Sequence, residues 1–213
     1  MATTFTALRS EIADHLNRTD STAVIPSLIT LAEAEFDNRL RSREQIERAT
    51  APLNQEYEYI PSNASEMRSL VISNTSPNRT LRQVSPTNLI REYPGTGAGV
   101  PRAYAVIGPQ VQFRPAPDSS SEYTLEMTYY AAVTPLSSSQ ETSSTLTAYP
   151  ALYLQGGLVE AYMYLHENSG VQRHLPIRDR LIEQINAATE NHQYSAGPLR
   201  VDHGMREVAG AFR

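Results

Sequence analysis

The chain contains no cysteine and no tryptophan. Without cysteine there is no disulfide, no thiolate metal ligand and no thiol nucleophile. Phenylalanine is scarce at 4 residues, which leaves tyrosine, at 12, as the main aromatic. No apolar run reaches the roughly 18–20 residues that a membrane span needs. Positive charge is in deficit: 18 Lys and Arg stand against 23 Asp and Glu, a formal net charge of −5. A surface of that sign argues against tight binding to a nucleic-acid backbone, which needs a basic face. It leaves room for nucleic acid that passes close by without being held. The opening residues MATTFTALRSEIADH contain acids and lack an apolar core, so no secretory leader is expected. The Asn-x-Ser/Thr triplets at Asn17, Asn63, Asn74 and Asn78 therefore carry no glycosylation reading.

What is present is enough chain for a core. At 213 residues and 40% hydrophobic content, one domain or one domain with an insertion is expected. The most apolar long stretch is Tyr149–Asn168, YPALYLQGGLVEAYMYLHEN. Leu154, Leu158, Tyr162 and Leu165 follow at three- and four-residue steps, and Leu152, Val159 and Met163 occupy other faces. A helix that is apolar nearly all round belongs inside a bundle. Pro150 suits its first turn. Gly156 and Gly157 lie mid-helix, where each costs about 1 kcal/mol relative to Ala. They mark a place where another backbone, that of the first or second helix, approaches closely.

Two helices are expected before it. In Thr3–Arg18, Phe5, Leu8, Ile12 and Leu16 form one apolar stripe; in Thr22–Arg43, Ile25, Leu28, Ala32, Phe36 and Leu40 form another. The second ends in Arg39, Arg41 and Arg43, cations that suit a helix C-terminus. From about Arg48 the periodicity changes. Tyr57–Tyr59 reads as a short edge strand, Arg68–Ser73 as a second strand, and Thr80–Val84 as its partner. Ser85-Pro86 caps a short helix to Tyr93. Gly95–Gly99 is a loop, Ala103–Ile107 and Gln110–Arg114 flank a Gly108-Pro109 hairpin turn, and Ser121–Tyr130 alternates as a half-buried strand. Thr134–Thr147 reads as a loop. A fourth helix is expected over Val171–Gln193, with Ile177, Leu181, Ile185 and Ala188 as its stripe and Pro176 as a kink or effective start. The fold class is α+β: a mainly helical bundle of four main helices (1–47 and 148–195), an inserted β-rich region carrying a small antiparallel sheet (48–147), and an extended C-terminal tail (196–213).

Reaction chemistry finds little footing. Gly95-x-Gly97-x-Gly99 lacks the strand before and the helix N-terminus after that a phosphate loop requires. His15, His166, His174, His192 and His203 fall in no metal-ligand spacing. Glu33, Glu35 and Asp37 read as a solvated face with no acid–base partner. No Gly-x-Ser-x-Gly elbow occurs. No enzyme, cofactor or metal is expected.

The order of the pieces resembles the head-to-tail adaptor (connector) proteins of tailed bacteriophages, including the tail tubular protein A type of podophages. The likeness rests on HLNRTD closing the first helix, on IPSLITLAEAEFDNRLRSR, and on YEYIPSNASEMRSLVI with its Ile-Pro step before a strand. SPTNLIREY, PRAYAVIGPQVQFRPAPD, LEMTYYAAVTPLS and YPALYLQGGLVEAYMYL follow in the same order, so the match runs over residues 1–195. The resemblance implies a structural virion subunit with no catalytic residues, present as a ring of twelve copies at the head–tail junction. Its partners would be further copies of itself, the portal protein and a tail or nozzle protein, with genome DNA passing through the channel. Arg39, Arg41, Arg43, Gly97 and Tyr129 are the interface candidates, joined by Leu199, Arg200, Val201, Met205, Phe212 and Arg213 of the tail. The competing reading is a helical scaffold outside any virus whose inserted sheet binds a partner protein.

Overall fold

The computed structural model describes residues 2–17, 23–95, 97–118 and 123–193. The protein is α+β, with six α-helices and two small sheets among the described residues. Helix α1 (Phe5–Leu16) opens where the Thr4 side chain accepts a hydrogen bond from the Ala7 amide at 3.2 Å, and closes at Asn17 in the left-handed region. It buries Phe5, Leu8 and Ile12. Helix α2 (Ile25–Arg39) carries Pro26 in its first turn and buries all five residues of its expected stripe, including Leu40 just past its end. It stops at Arg39, short of the expected Arg43. Leu40 turns extended to enter the core, and a single 3-10 turn (Arg43–Gln45) leads into the sheets.

The β-rich region holds two four-stranded sheets where one antiparallel sheet was expected. The first has the order β1 (Ile46–Leu53), β8 (Tyr123–Ala131), β3 (Ala64–Ile72) and β4 (Arg79–Thr80), all antiparallel. The second has the order β2 (Tyr57–Tyr59), β7 (Gln110–Arg114), β6 (Ala103–Ile107) and β5 (Arg82–Gln83). There β5 runs parallel to β6. The run expected as one strand, Thr80–Val84, is divided between them. Thr80 pairs with Val71 in the first sheet, the buried Leu81 lies between, and Arg82 and Gln83 join the second. Leu70, Ile72 and Leu125 from one sheet meet Tyr104, Val111 and Phe113 from the other in a shared core. The 6–7 hairpin turns at Gly108, whose φ of +59° is left-handed and suits glycine. A short helix, α3 (Pro86–Glu92), is capped by Ser85 as expected and covers Ala103 and Ala105 with Leu89.

The segment after β8 is more ordered than a plain loop. Leu136 and Leu146 are buried in the helical core, and α4 (Ser144–Ala148) starts at Ser143, whose hydroxyl accepts from the Leu146 amide at 3.0 Å. The Ser/Thr density that looked like loop supplies a helix cap. Helix α5 (Pro150–Tyr164) then runs through the helical core against α1, α2 and α6 (Asn168–Gln193). Its glycines are where neighbours press in. A Cβ on Gly156 would stand 2.6 Å from Phe36 Cζ, and one on Gly157 would stand 2.5 Å from Ile12 Cδ1. Phe36 has no room to give, because its ring is wholly buried and meets Tyr153 edge-on at 5.3 Å. The close approach is thus made by side chains and not by the backbone that was expected: Phe36 and Ala32 of α2 at Gly156, and Ile12 of α1 at Gly157.

The fourth long helix departs from expectation in start and phase. It begins at Asn168, ahead of Gly170, and Pro176 lies inside it. Gly170 is required there: a Cβ would fall 2.3 Å from the Tyr162 ring. Its buried face is Arg178, Ile182, Ile185 and Thr189, while Ile177 is 43% exposed. The buried face includes an arginine and a threonine, which an apolar stripe passes over.

Replacing Gly156 with Leu forces an isobutyl group into Phe36. A loss of about 2 kcal/mol or more in denaturant unfolding is expected; an unchanged midpoint would mean the site tolerates the bulk.

Candidate functional site: the basic end of α2 and the surfaces beside it

The three arginines expected at one helix end sit in three different settings. Arg39, the last residue of α2, places Nη1 2.9 Å from Asp179 Oδ1 and 3.0 Å from Glu35 Oε1. The Glu35 contact, aided by Asp179, holds its guanidinium pKa up. Arg41 lies beyond the helix and folds back over it. Its Nη1 donates to the Leu40 and Asp37 carbonyls at 2.8 and 3.1 Å, groups the ending helix leaves open. Its Nε meets Glu66 Oε2 of β3 at 2.6 Å. Arg43, in the 3-10 turn, has only a loose approach to Glu44 at 3.9 Å, and 70% of its side chain is exposed. The basic run is therefore largely committed within the chain, and Arg43 is the member that faces solvent.

These contacts form a seam that fastens the α2 exit to α6 and α5, and through Arg41–Glu66 and Gln45 to the first sheet. Asn186 of α6 accepts from the Arg41 amide at 2.7 Å and donates to the Arg39 carbonyl at 2.9 Å. Gln45 Nε2 donates to the Ala131 carbonyl, and the Tyr149 hydroxyl donates to Glu44 at 2.6 Å. At the centre of the ionic part lies a residue the sequence reading passed over, Arg178. Its side chain is 7% exposed, with Asp179 at 3.0 Å, Glu35 at 3.8 Å and Glu160 at 4.0 Å. Its step to Ile182 and Ile185 on α6 was the available signal.

The carboxylates expected as a solvated face are divided too. Glu33 is 4% exposed, and its Oε1 accepts from the Leu136 amide at 3.0 Å. One turn on, Asp37 Oδ1 accepts from the Val133 amide at 2.5 Å. Together they pin the chain leaving β8 onto α2. Burial pushes the Glu33 carboxyl up to about 7; the Leu136 bond opposes this and nearby Asp37 adds to it. Among the described residues Glu33 Oε2 finds no hydrogen-bond partner.

The other candidates are scattered. Tyr129 is 4% exposed, and its hydroxyl lies 3.1 Å from Glu47 Oε2 and 3.2 Å from Asn63 Oδ1, so it works inside the first sheet's core. Around Gly97 there is open space, whereas Gly99 donates to the Ala116 carbonyl at 2.8 Å. Leu199, Arg200, Val201, Met205, Phe212 and Arg213 lie outside the described residues. His174 stacks on Tyr162 and lies 2.8 Å from Gln155 Oε1, a packing role. Among the described residues no group of three His, Asp or Glu could hold a metal ion. Two clefts flank β3 and share Glu66 and Met67. One, of about 460 Å³, opens between Ile60–Ser62 and the 6–7 hairpin; the other, of about 570 Å³, is lined by Arg41, Arg68, Tyr130, Asn186 and Glu190. Neither wall carries a histidine. What they offer is charge and shape.

A helical body, two sheets welded to it and charges spent on joining segments make up a structural subunit built to be contacted. The family model described as SU10 adaptor protein matches residues 3–202, and the chain belongs to that family, a family of phage head–tail adaptors. Among curated proteins, none matches the chain. Adaptor membership makes it a structural component of a phage virion. No helix among the described residues is long and apolar enough to cross a membrane.

Two outcomes test the seam and the pin. Arg178→Ala strands Glu160 beside the core, while Glu35 keeps Arg39, and should cost about 1–3 kcal/mol; thermal melting that matches the parent would remove Arg178 from the centre. For Glu33, the folded form holds its proton more tightly than the unfolded chain. Its contribution to stability is full below about pH 4.5 and is lost as pH rises to about 7. Glu33→Gln, which keeps an oxygen for Leu136, should flatten that part of the melting-temperature profile between pH 5 and 8. An identical profile in the variant would place the titration elsewhere.

Proposed function

We propose that this protein is a ring-forming head–tail adaptor: copies of the chain, twelve in the reading suggested by its adaptor relatives in general, dock beneath the portal, extend the DNA channel and present a platform to the tail. The observation that carries the reading is the family match over residues 3–202. Supporting it, the clefts beside β3 display charge and shape in place of paired reactive groups. The acidic composition fits a conduit. With a formal charge of −5 each, twelve copies bring about −60 around one channel, which repels phosphates and lets DNA slide. Arg43 and the loop through Gly97 are the described positions free to reach an adjacent subunit or the tail side. The segment Pro198–Arg213 would dock on a neighbouring subunit or on the portal once the ring forms.

Mixing the purified protein with portal and imaging by negative stain should give rings capping the portal. Deleting Pro198–Arg213 should weaken that attachment while the far-UV circular dichroism stays that of the full chain. A protein that stays monomeric with portal present would favour a binding module of another kind.

A further inference from the structure

Helix α6 buries one face and carries beside it a second, an apolar stripe that the fold covers only in part, at Leu181 and Ile185. The buried face is Arg178, Ile182, Ile185 and Thr189; the second runs Ile177, Leu181, Ile185 and Ala188, with Ile177 and Ala188 exposed. Beside this second face the start of α5 leaves a groove of about 460 Å³, lined by Tyr149, Pro150, Leu152, Leu181, Ile185 and Ala188. Polar rim is scarce: Gln184 is the one amide on the α6 side. An apolar groove of this kind asks for an occupant.

The chain supplies one. Beyond Gln193 come Tyr194-Ser195-Ala196-Gly197-Pro198 and then Leu199-Arg200-Val201-Asp202-His203-Gly204-Met205. In the latter, Leu199, Val201 and Met205 fall at odd positions together with His203, and Arg200, Asp202 and Gly204 at even ones. That period of two gives an extended segment one edge that is apolar except at His203 and one that is polar or small. The geometry closes. The α6 side of the groove, Leu181 to Ala188, spans about 10 Å of helix, and the exposed Ile177 beyond it extends the face to about 16 Å; Leu199 to Met205 spans about 20 Å when extended. Ala188 lies about 8 Å before Gln193 along the helix axis. The six steps from Gln193 to Leu199 reach up to about 20 Å. Gly197-Pro198 is turn chemistry placed where the direction must reverse.

We propose that, in the free protomer, residues 199–205 fold back along α6 and fill its outer groove with Leu199, Val201 and Met205. The same copy is the occupant, because a short linker with a Gly-Pro turn brings the segment to its own groove at high effective concentration. A segment parked in this way shields the groove before assembly and is available for transfer to another partner afterwards. The inference concerns the free protein and does not depend on the ring.

The test uses the absence of cysteine. Full-length Ala188→Cys/Leu199→Cys, oxidised in dilute solution without portal, should cross-link within one chain and run as a monomer. The control pair Ala188→Cys/Phe212→Cys should stay reduced under the same conditions. Adding Leu181→Glu should abolish the cross-link. Disulfide-linked dimers would assign the groove to a second copy and overturn the proposal, as would equal oxidation of both pairs or of neither. Independently, a chain ending at Pro198 should bind an apolar fluorescent dye several-fold more than the full chain; an unchanged signal would overturn the proposal.

Discussion

Three helices meet where two side chains are missing. Gly156 admits Phe36 of α2 and Gly157 admits Ile12 of α1, on consecutive residues of α5. Two mid-helix glycines cost the isolated helix about 2 kcal/mol together. The cost is offset because Phe36, Ile12 and Tyr153 become fully buried around them. The position of α2 sets the rest. Its carboxylates Glu33 and Asp37 hold the chain leaving β8, and its end hands the chain through a single turn to β1. A change in how α2 seats on α5 is therefore passed to the sheets.

The seam between the helical and β parts is ionic and amide-rich, and its partners come from distant parts of the sequence. Arg41 meets Glu66 and Gln45 reaches the Ala131 carbonyl across it, while Arg39–Asp179 and Asn186 tie the α2 exit to α6 on its helical side. Directional contacts of this sort fix orientation more than they add stability, because half-exposed ion pairs are each worth little. Arg178 differs in being buried, so its pairing to Glu160 and Asp179 fixes the depth at which α6 seats.

The legible parts of the sequence were those where a single local rule decides the outcome. The stripes of the first two helices, the Ser85 cap and the Gly108-Pro109 hairpin are read from spacing or turn chemistry alone, and the structure has each of them. The misread parts need tertiary information. Arg178 and Thr189 are polar yet buried, so the apolar stripe of α6 found Ile185 and Leu181 but missed the rest of the buried face, while Ile177 and Ala188 are exposed. Thr80–Val84 has the texture of one strand, and only the packing of Leu81 reveals that it serves two sheets. Glu33 looked solvated because nothing local announces that Leu136, more than a hundred residues away, will bond to it. Arg39 and Arg41, half-exposed, also pair with Asp179 and Glu66, acids that arrive from distant elements.

The crossing at Leu81 has a mechanical meaning. Since one continuous stretch of backbone belongs to both sheets, neither sheet can slide over the other without tearing a strand from its ladder. The shared core resists separation and the crossing resists shear, so the pair behaves as a single stiff plate. A plate tied to α2 through Glu33 and Asp37, and to the α2 exit through Arg41, turns a load on the 6–7 hairpin into a tilt of the helical body. In a phage adaptor subunit, stiffness of that kind keeps the β part and the helical body in fixed register when either is loaded.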